Sequence, residues 1–469
     1  MPDHKSNETE KVSPSASQYI QHTQRRIRMP RMPRMQIRTL LIVGISLVLL
    51  AIMVPRMYTN WKTARTAAVV AITAANAAPA YAQHVRLHGV MDGFDAAHTH
   101  NNPYEQSINA DNISQIQPLW SYQLAQDNNA TSSPIISNNH KVFVGSTNGR
   151  FYSFEADCDT ECQPLWSYLT AGAITTTPAV AYGTVFVGSQ DHSIYAFDAN
   201  CVHDCQPLWH YRTTGAINAS PTISGTMLYV GSDDGKLYAF NAFCISACLP
   251  VRSYRTGGSI RSTLAASDDM LYVGSDDGKL YAFDARRLGN GQPLWSYQTG
   301  GKITAAPAIA NGSVYVGSDD HNLYAFAASC RQRCQPLWHY QTSAQITAAP
   351  IISDSHLYIG SMDHTLYAFA INCRQHCQPL WHYQTAGSLS TAGMSANSLL
   401  YLGANDGRLY IFATRCAATC KPLSILTPIP TLPGPRQSSA PITTTPFIAA
   451  GKLYIHTDNG TLYTYGFAG

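Results

Sequence analysis

The twelve cysteines of this 469-residue chain fall into six C-x-x-x-C pairs: Cys158/Cys162, Cys201/Cys205, Cys244/Cys248, Cys330/Cys334, Cys373/Cys377 and Cys416/Cys420. Two sulfurs four residues apart can close a small disulfide, stay as reduced thiols, or offer two thiolates to a metal. One copy of the pattern lacks the pair: Arg287 and Gly291 stand where its cysteines belong. Both are lost together while every other pair is complete, so each pair is expected to bond within itself. Six such bridges fit an oxidising compartment. Chain entropy gives only about 2 kcal/mol for so short a loop, so the bridges stiffen peripheral turns rather than decide folding. No C-x-x-C-H haem attachment occurs.

Other residues with chemical potential recur in step with the cysteines. Asp233/Asp234, Asp276/Asp277, Asp319/Asp320, Asp363, Asp406 and Asp458 suggest a ring of carboxylates for calcium, but their phrases read as hairpin turns. His192, His321 and His364 share those turns, and His210, His339 and His382 follow tryptophans where other copies carry serine or another residue. Both sets read as solvated positions. One copy breaks its own pattern with "PVRSYRTGGSIRSTL", bringing Arg252, Arg255 and Arg261 close in sequence, with Arg212 and Lys302 one copy away on either side. Arg261 replaces the small polar residue found elsewhere (Thr175, Asn218, Thr304, Thr347, Ser390, Thr443). A guanidinium suits a carboxylate or phosphate, so Arg252, Arg255 and Arg261 are the candidate site for an anionic ligand or acidic partner segment. The other reading is scattered surface arginines. No nucleophile-base-acid set, phosphate-cradling glycine loop or metal motif is present.

The element that positions these residues is a repeat. Gly145, Gly188, Gly231, Gly274, Gly317, Gly360 and Gly403 each follow the last by 43 residues, and a looser eighth copy begins at Leu453. A period of 40 to 45 residues built from strand phrases predicts a β-propeller with one blade per repeat. In the copy from Ile217, "INASPTIS", "TMLYVGS", "KLYAFNA" and "PVRSY" read as four strands. The first "PLW" phrase, at Pro118 to Trp120, precedes the first full unit, and the last unit lacks a fourth strand. The expectation is therefore an all-β, eight-bladed propeller in which an amino-terminal strand completes the last blade and leaves no free sheet edge between the ends. Trp166, Trp209, Trp295, Trp338 and Trp381 hold one register position, replaced by Arg252 and Ser424 in the two other copies; they are expected to dock blade on blade. In such a ring, neighbouring cysteine pairs would lie about 15–20 Å apart given a strand spacing of ~4.8 Å, too far to complete a zinc site together. His203 and His376 add a third ligand in only two loops.

With only 13% charged residues and a net charge of +3 gathered at the amino-terminus, nothing indicates nucleic-acid binding. Residues 1–38 are polar and then basic (Arg25, Arg26, Arg28, Arg31, Arg34, Arg38), and are expected to form a disordered cytoplasmic tail. Residues 39–55 carry no charge and predict a transmembrane helix at the short end of what spans a bilayer. Six arginines before the run against Arg56, Lys62 and Arg65 after it place the propeller outside the cell membrane on a single-pass signal-anchor. Residues 56–89 read as a linker and 90–469 as the propeller. The rival reading is a cleaved signal peptide ending at "AYAQ" (Ala80 to Gln83), which lies far from the apolar run.

The phrase "LYVGSDDGKLYAFDARRLGNGQPLWSYQTG" (Leu271 to Gly300) resembles the repeat of pyrroloquinoline-quinone (PQQ)-type propellers, and "MDGFDAAHTHNNPYEQSINADNISQIQPLW" is similar to that family's lead-in segment. The resemblance spans nearly everything from about residue 90 onward. It implies the architecture, and it implies either of two roles: a quinoprotein dehydrogenase, or a non-catalytic relative such as the outer-membrane assembly lipoprotein propeller. The dehydrogenases carry adjacent cysteines over the quinone and long insertions with calcium ligands and a catalytic Asp. This chain has no adjacent cysteine pair, and its repeats run at constant length. The expected function is thus a non-catalytic binding or assembly scaffold for a protein or glycan partner, without cofactor or metal. The alternative is a PQQ- and calcium-dependent oxidoreductase acting on alcohols or sugars.

Overall fold

The third repeat shows how the sequence folds. Its strands are Thr222–Ser224, Met227–Gly231, Lys236–Asn241 and Arg252–Arg255, an antiparallel meander running from the axis outward. Leu228 lies opposite Phe240, Val230 opposite Tyr238 and Leu237 opposite Tyr254. Leu237, Tyr238, Ala239 and Phe240 are all buried, because each sheet is sandwiched between two neighbours and has no solvated face in its middle strands. The hairpin turns at Gly235, whose φ of +77° suits glycine. The Asp234 carboxylate fixes the turn, accepting from the Lys236 amide at 3.0 Å and the Tyr238 hydroxyl at 2.7 Å. Burial pushes the Asp234 carboxyl up, but the bonds from Tyr238, Thr214 and Lys236 outweigh it and hold the pKa below its usual value. The aspartates of these turns serve the fold, as the turn chemistry implied.

The structure is a computed structural model that describes residues 90–125, 132–137, 139–267, 269–286, 291–416, 419–428 and 440–467. Eight such sheets are present. Blades are numbered here from the sheet whose innermost strand is Ile135–Ile136. The following innermost strands are Ala179–Ala181, Thr222–Ser224, Ala265–Ser267, Ala308–Ala310, Ile351–Ser353, Met394–Ala396 and Phe447–Ala449. Blade 8 closes as expected. Its outermost strand is Gln117–Gln123, with Ser121 opposite Tyr463 and Tyr122 opposite Leu462, and a register shift between Pro118 and Trp120. Blade 7 gains a fifth strand, Asn101–Asn102, parallel to Met394–Ala396.

One boundary differs from the sequence reading. The innermost strand of blade 3 starts at Thr222, not Ile217. Ile217 instead drops onto Gly188 of the preceding blade, and Ile260 onto Gly231 in the same way. A Cβ at Gly231 would stand 2.5 Å from Ile260 Cγ2. The glycine that marks the repeat is the place where the next blade's isoleucine needs room.

The predicted transmembrane helix at 39–55, the tail at 1–38 and the linker at 56–89 lie outside the described residues. Among the described residues no helix is long and apolar enough to cross a membrane.

Candidate functional site

The axis of the ring is occupied by the chain itself. Residues 90–108 wind past the innermost strands in order. Val90 and Val180 exchange backbone bonds at 2.9 and 2.8 Å on blade 2. The Ile223 amide of blade 3 donates to Met91 Sδ at 3.2 Å. The carbonyls of Ala96, Ala97, Thr99 and His100 then accept from Ala266, Ile309, Ile352 and Ser395 of blades 4 to 7, at 2.6 to 2.8 Å. Asn102 Nδ2 reaches Ile448 O of blade 8 at 2.8 Å. The inner strands have bare backbone edges toward the axis, and this segment satisfies them. The sequence reading counted the segment within the propeller, as a lead-in, without assigning it to the channel.

Two histidines of this segment, His98 and His100, are buried with ring centroids 5.8 Å apart. Burial pushes the His98 imidazole down to about 4. Beside His100, a cavity of about 10 Å³ is lined by residues that include Met91, Asp92, Ser133, Met394 and Phe447. It has room for about one water molecule.

At the hairpin turns, Arg261 meets the carboxylates of blades 3 and 4. Its Nε and Nη2 meet the two oxygens of Asp233 at 3.1 and 3.2 Å, and Nη1 stands 3.5 Å from Asp276. Lys302 Nζ stands 3.5 Å from the same Asp276 oxygen. The Asp233 bond holds the Arg261 pKa above its usual value. Two cations therefore sit among carboxylates, and an incoming anion must compete with partners already in place.

The structure does not bring the three candidate arginines together. Arg252 and Arg255 lie on the outermost strand of blade 3, while Arg261 lies in the connection that leads to the innermost strand of blade 4, which starts at Ala265. Arg252 donates from Nη1 to the Ala285 carbonyl of blade 4. Arg255 is exposed and lies opposite Lys236.

All six cysteine pairs are disulfides within their own loops: Cys158–Cys162, Cys201–Cys205, Cys244–Cys248, Cys330–Cys334, Cys373–Cys377 and Cys416–Cys420. Their Cα atoms stand 5.5 to 6.0 Å apart. The pairing agrees with the sequence reading, and each pair lies in the turn between its blade's third and fourth strands. Burial adds a feature the spacing did not show: the second cysteine of each pair, Cys162, Cys205, Cys248, Cys334, Cys377 or Cys420, is buried in the packed core. Only Cys158, Cys201, Cys244, Cys330, Cys373 and Cys416 remain partly exposed. Reduced or oxidised, a sulfur is an apolar group that gains from burial, so each bridge ties the outer loop to the interior of its blade.

The loop around Cys244–Cys248 in blade 3 differs from its sisters. Phe243, Ile245 and Leu249 are 53%, 67% and 72% exposed. The same positions hold Ser329, Arg331 and Gln335 in blade 5 and Asn372, Arg374 and Gln378 in blade 6. Val251, also exposed, extends this apolar surface to the start of the Arg252–Arg255 strand. The sequence carried the signal in "AFCISACLPV", visible only when the loops are compared position by position.

Comparison with known proteins follows the same lines. A family model described as outer membrane protein assembly factor BamB, built on PQQ-type repeats, matches residues 107–201 and 252–345. Over those residues the chain is similar to the PQQ-repeat propellers. Solved propellers with similar folds include a computationally designed protein, Ika8, at 18% identity and TM-score 0.60, covering 75% of this chain and all of the other. BamB from Moraxella catarrhalis is similar at 16% identity and TM-score 0.56, with the same coverage. The quinohemoprotein alcohol dehydrogenase from Comamonas testosteroni is similar at 12% identity and TM-score 0.62, covering 81% of both chains. At these identities the likeness is one of fold. No curated protein matches this chain in sequence.

Proposed function

We propose that this propeller is a non-catalytic binding or assembly scaffold, held outside the cell membrane by residues 39–55. The observation that carries the reading is the blade 3 loop, where Phe243, Ile245 and Leu249 stand exposed at positions that are polar in the sister loops of blades 5 and 6. Exposed apolar side chains gathered on one loop mark a contact surface. Arg252 and Arg255 follow on the adjoining strand, so the complementary surface is apolar with acidic residues beside it, on a protein partner or a glycan carrying acidic groups. The loop disulfides accord with an exterior location.

The same reading holds that no quinone or calcium is bound. Three features support it. No two cysteines are adjacent; every cysteine is tied up in a loop disulfide; and the cavity beside His100, at about 10 Å³, is far too small for a tricyclic quinone. Likeness in shape to the alcohol dehydrogenases favours the alternative, an oxidoreductase using PQQ. Dye reduction with alcohols or sugars that depends on added PQQ and calcium would establish that alternative and overturn the scaffold.

The direct test is crosslinking in intact cells with Ile245→Asp and Leu249→Asp together. The expected result is loss of the propeller's crosslinked partner with an unchanged melting temperature. Crosslinks that persist undiminished in the folded variant would sink the proposal.

A further inference from the structure

Between blades 4 and 5, on the face that carries the disulfide loops, lies a cleft of about 410 Å³. Met270, Tyr272 and Ile309 give it an apolar wall, Ala97 of the channel segment closes its inner end, and Arg331 stands at its outer rim. The next gap around the ring shows why this one is open. There Arg374, 43 residues after Arg331, reaches back across the gap: Nη1 donates to Ser313 Oγ and Nη2 to the Asn311 carbonyl at 3.0 Å. At the blade 4 position equivalent to Ser313 stands Met270, whose thioether is a far weaker acceptor than a hydroxyl. Arg331 folds back on its own loop instead, donating Nη1 to the carbonyls of Ala328 and Cys330 at 2.8 and 3.2 Å. Its Nε and Nη2 make no hydrogen bond among the described residues.

We propose that this cleft binds small apolar carboxylates, with Arg331 gripping the carboxylate and Met270 and Ile309 meeting the hydrocarbon body. The volume is within the range of small-molecule sites. The remaining Nε–Nη2 edge of a guanidinium is the geometry that takes a carboxylate through two parallel bonds. A thioether and an isoleucine, backed by the fully buried Tyr272, reward a chain or ring of carbons rather than a sugar or phosphate. Tyr272 directs its hydroxyl to Ala328 O at 2.8 Å, so its ring is held in place. The site is separate from the blade 3 loop, and the inference stands whether or not the scaffold reading does.

The test is calorimetric titration of the full chain in detergent with 4-phenylbutyrate, with 4-phenylbutyramide as the neutral control. A second arm uses acetyl-alanyl-leucine with a free or an amidated carboxy-terminus, to tell a free acid from the end of a peptide. Saturable binding of an acid, at least tenfold tighter than its amide, is expected. Arg331→Gln should abolish that preference. Met270→Ser should weaken binding of the acid tenfold or more, because it supplies the hydroxyl that lets Arg331 close the gap as Arg374 does. Arg374→Gln, at the sister position, should leave binding unchanged, and melting temperatures establish that each variant is folded. Equal binding of acid and amide, or binding indifferent to both Arg331→Gln and Met270→Ser, would overturn the proposal.

Discussion

The indole Nε1 of Trp209 donates a 2.9 Å hydrogen bond to the backbone carbonyl of Cys244, a cysteine of the next blade's disulfide loop. The same bond joins Trp166 to Cys201, Trp295 to Cys330 and Trp338 to Cys373, at 3.0 to 3.2 Å. Trp381, which precedes the Cys416–Cys420 loop, does not make the bond: its Nε1 is buried without a hydrogen-bond partner among the described residues. The two copies that lack the tryptophan follow the pairing. Arg252 replaces tryptophan in blade 3, and the blade after it is the one with Arg287 and Gly291 in place of cysteines. Ser424 replaces tryptophan in blade 7, and the blade after it has no such loop because the amino-terminal strand completes it. Tryptophan and disulfide are thus two halves of one blade-to-blade joint.

This joint predicts a stability effect. Cys244→Ser with Cys248→Ser should lower the unfolding free energy by at least about 2 kcal/mol, the chain-entropy value for the loop. The buried position of Cys248 adds the cost of placing a hydroxyl in apolar surroundings. Indole emission should shift in the same variant because Trp209 loses a rigid partner. Urea titration and fluorescence check both, and the emission change should vanish when Trp209→Phe is added. An emission shift that survives in the Trp209→Phe background would place its source elsewhere.

The marker glycine makes a second prediction. Gly231→Ala places a methyl 2.5 Å from Ile260 Cγ2 and 3.0 Å from Ala219 Cβ, an overpacking worth about 1–3 kcal/mol. In an Ile260→Ala background, which lacks Cγ2, Gly231→Ala should cost less. A double-mutant cycle in urea measures the coupling, and strictly additive effects would separate the two residues.

Acid should weaken the propeller through its buried histidines. Burial lowers the pKa of His98 and of His456 to about 4, from an ordinary 6.5. The unfolded chain takes up protons near pH 6.5 that the folded chain refuses until about pH 4. Stability is therefore full at neutral pH and is lost as pH falls through that window. Unfolding free energies at pH 7.5 and 5.0 should differ in that direction. His456→Gln, which removes one such group from beside the Ser132 carbonyl, should shrink the difference.

Ring closure supplies the last prediction. Trp120 is 2% exposed in the closing strand and packs against Phe154 of blade 1 at 5.6 Å between ring centroids. Trp120→Ala should cost about 3–5 kcal/mol. Calorimetry should show one lowered transition rather than the separate melting of blade 8.

Much of this architecture is legible in the chain. The 43-residue spacing gives the blade count, and the early "PLW" at Pro118 gives the closing strand, because repeats can be compared with one another. The joint was legible too: Arg252 and Arg287 are separated by the same 35 residues as Trp209 and Cys244, so the paired loss could be read as one event. The burial of Cys162 and its five counterparts was not, because spacing shows which sulfurs can meet but not which way the loop leans. The channel segment was hidden as well, since residues 90–108 occur once and have no second copy to show what their polar groups meet. So was the separation of Arg252 and Arg255 from Arg261. A few residues of loop carry the chain across the full width of a blade, and nearness along the sequence says little about nearness across that radius.

The segment that fills the axis also constrains how the molecule can be made. Synthesis delivers residues 90–108 before any of the strands they bind, and one of their anchors, Ile448, follows its partner Asn102 by 346 residues. The first-made stretch must wait, like a spindle laid down ahead of its wheel, until the carboxy-terminal blade arrives to enclose it.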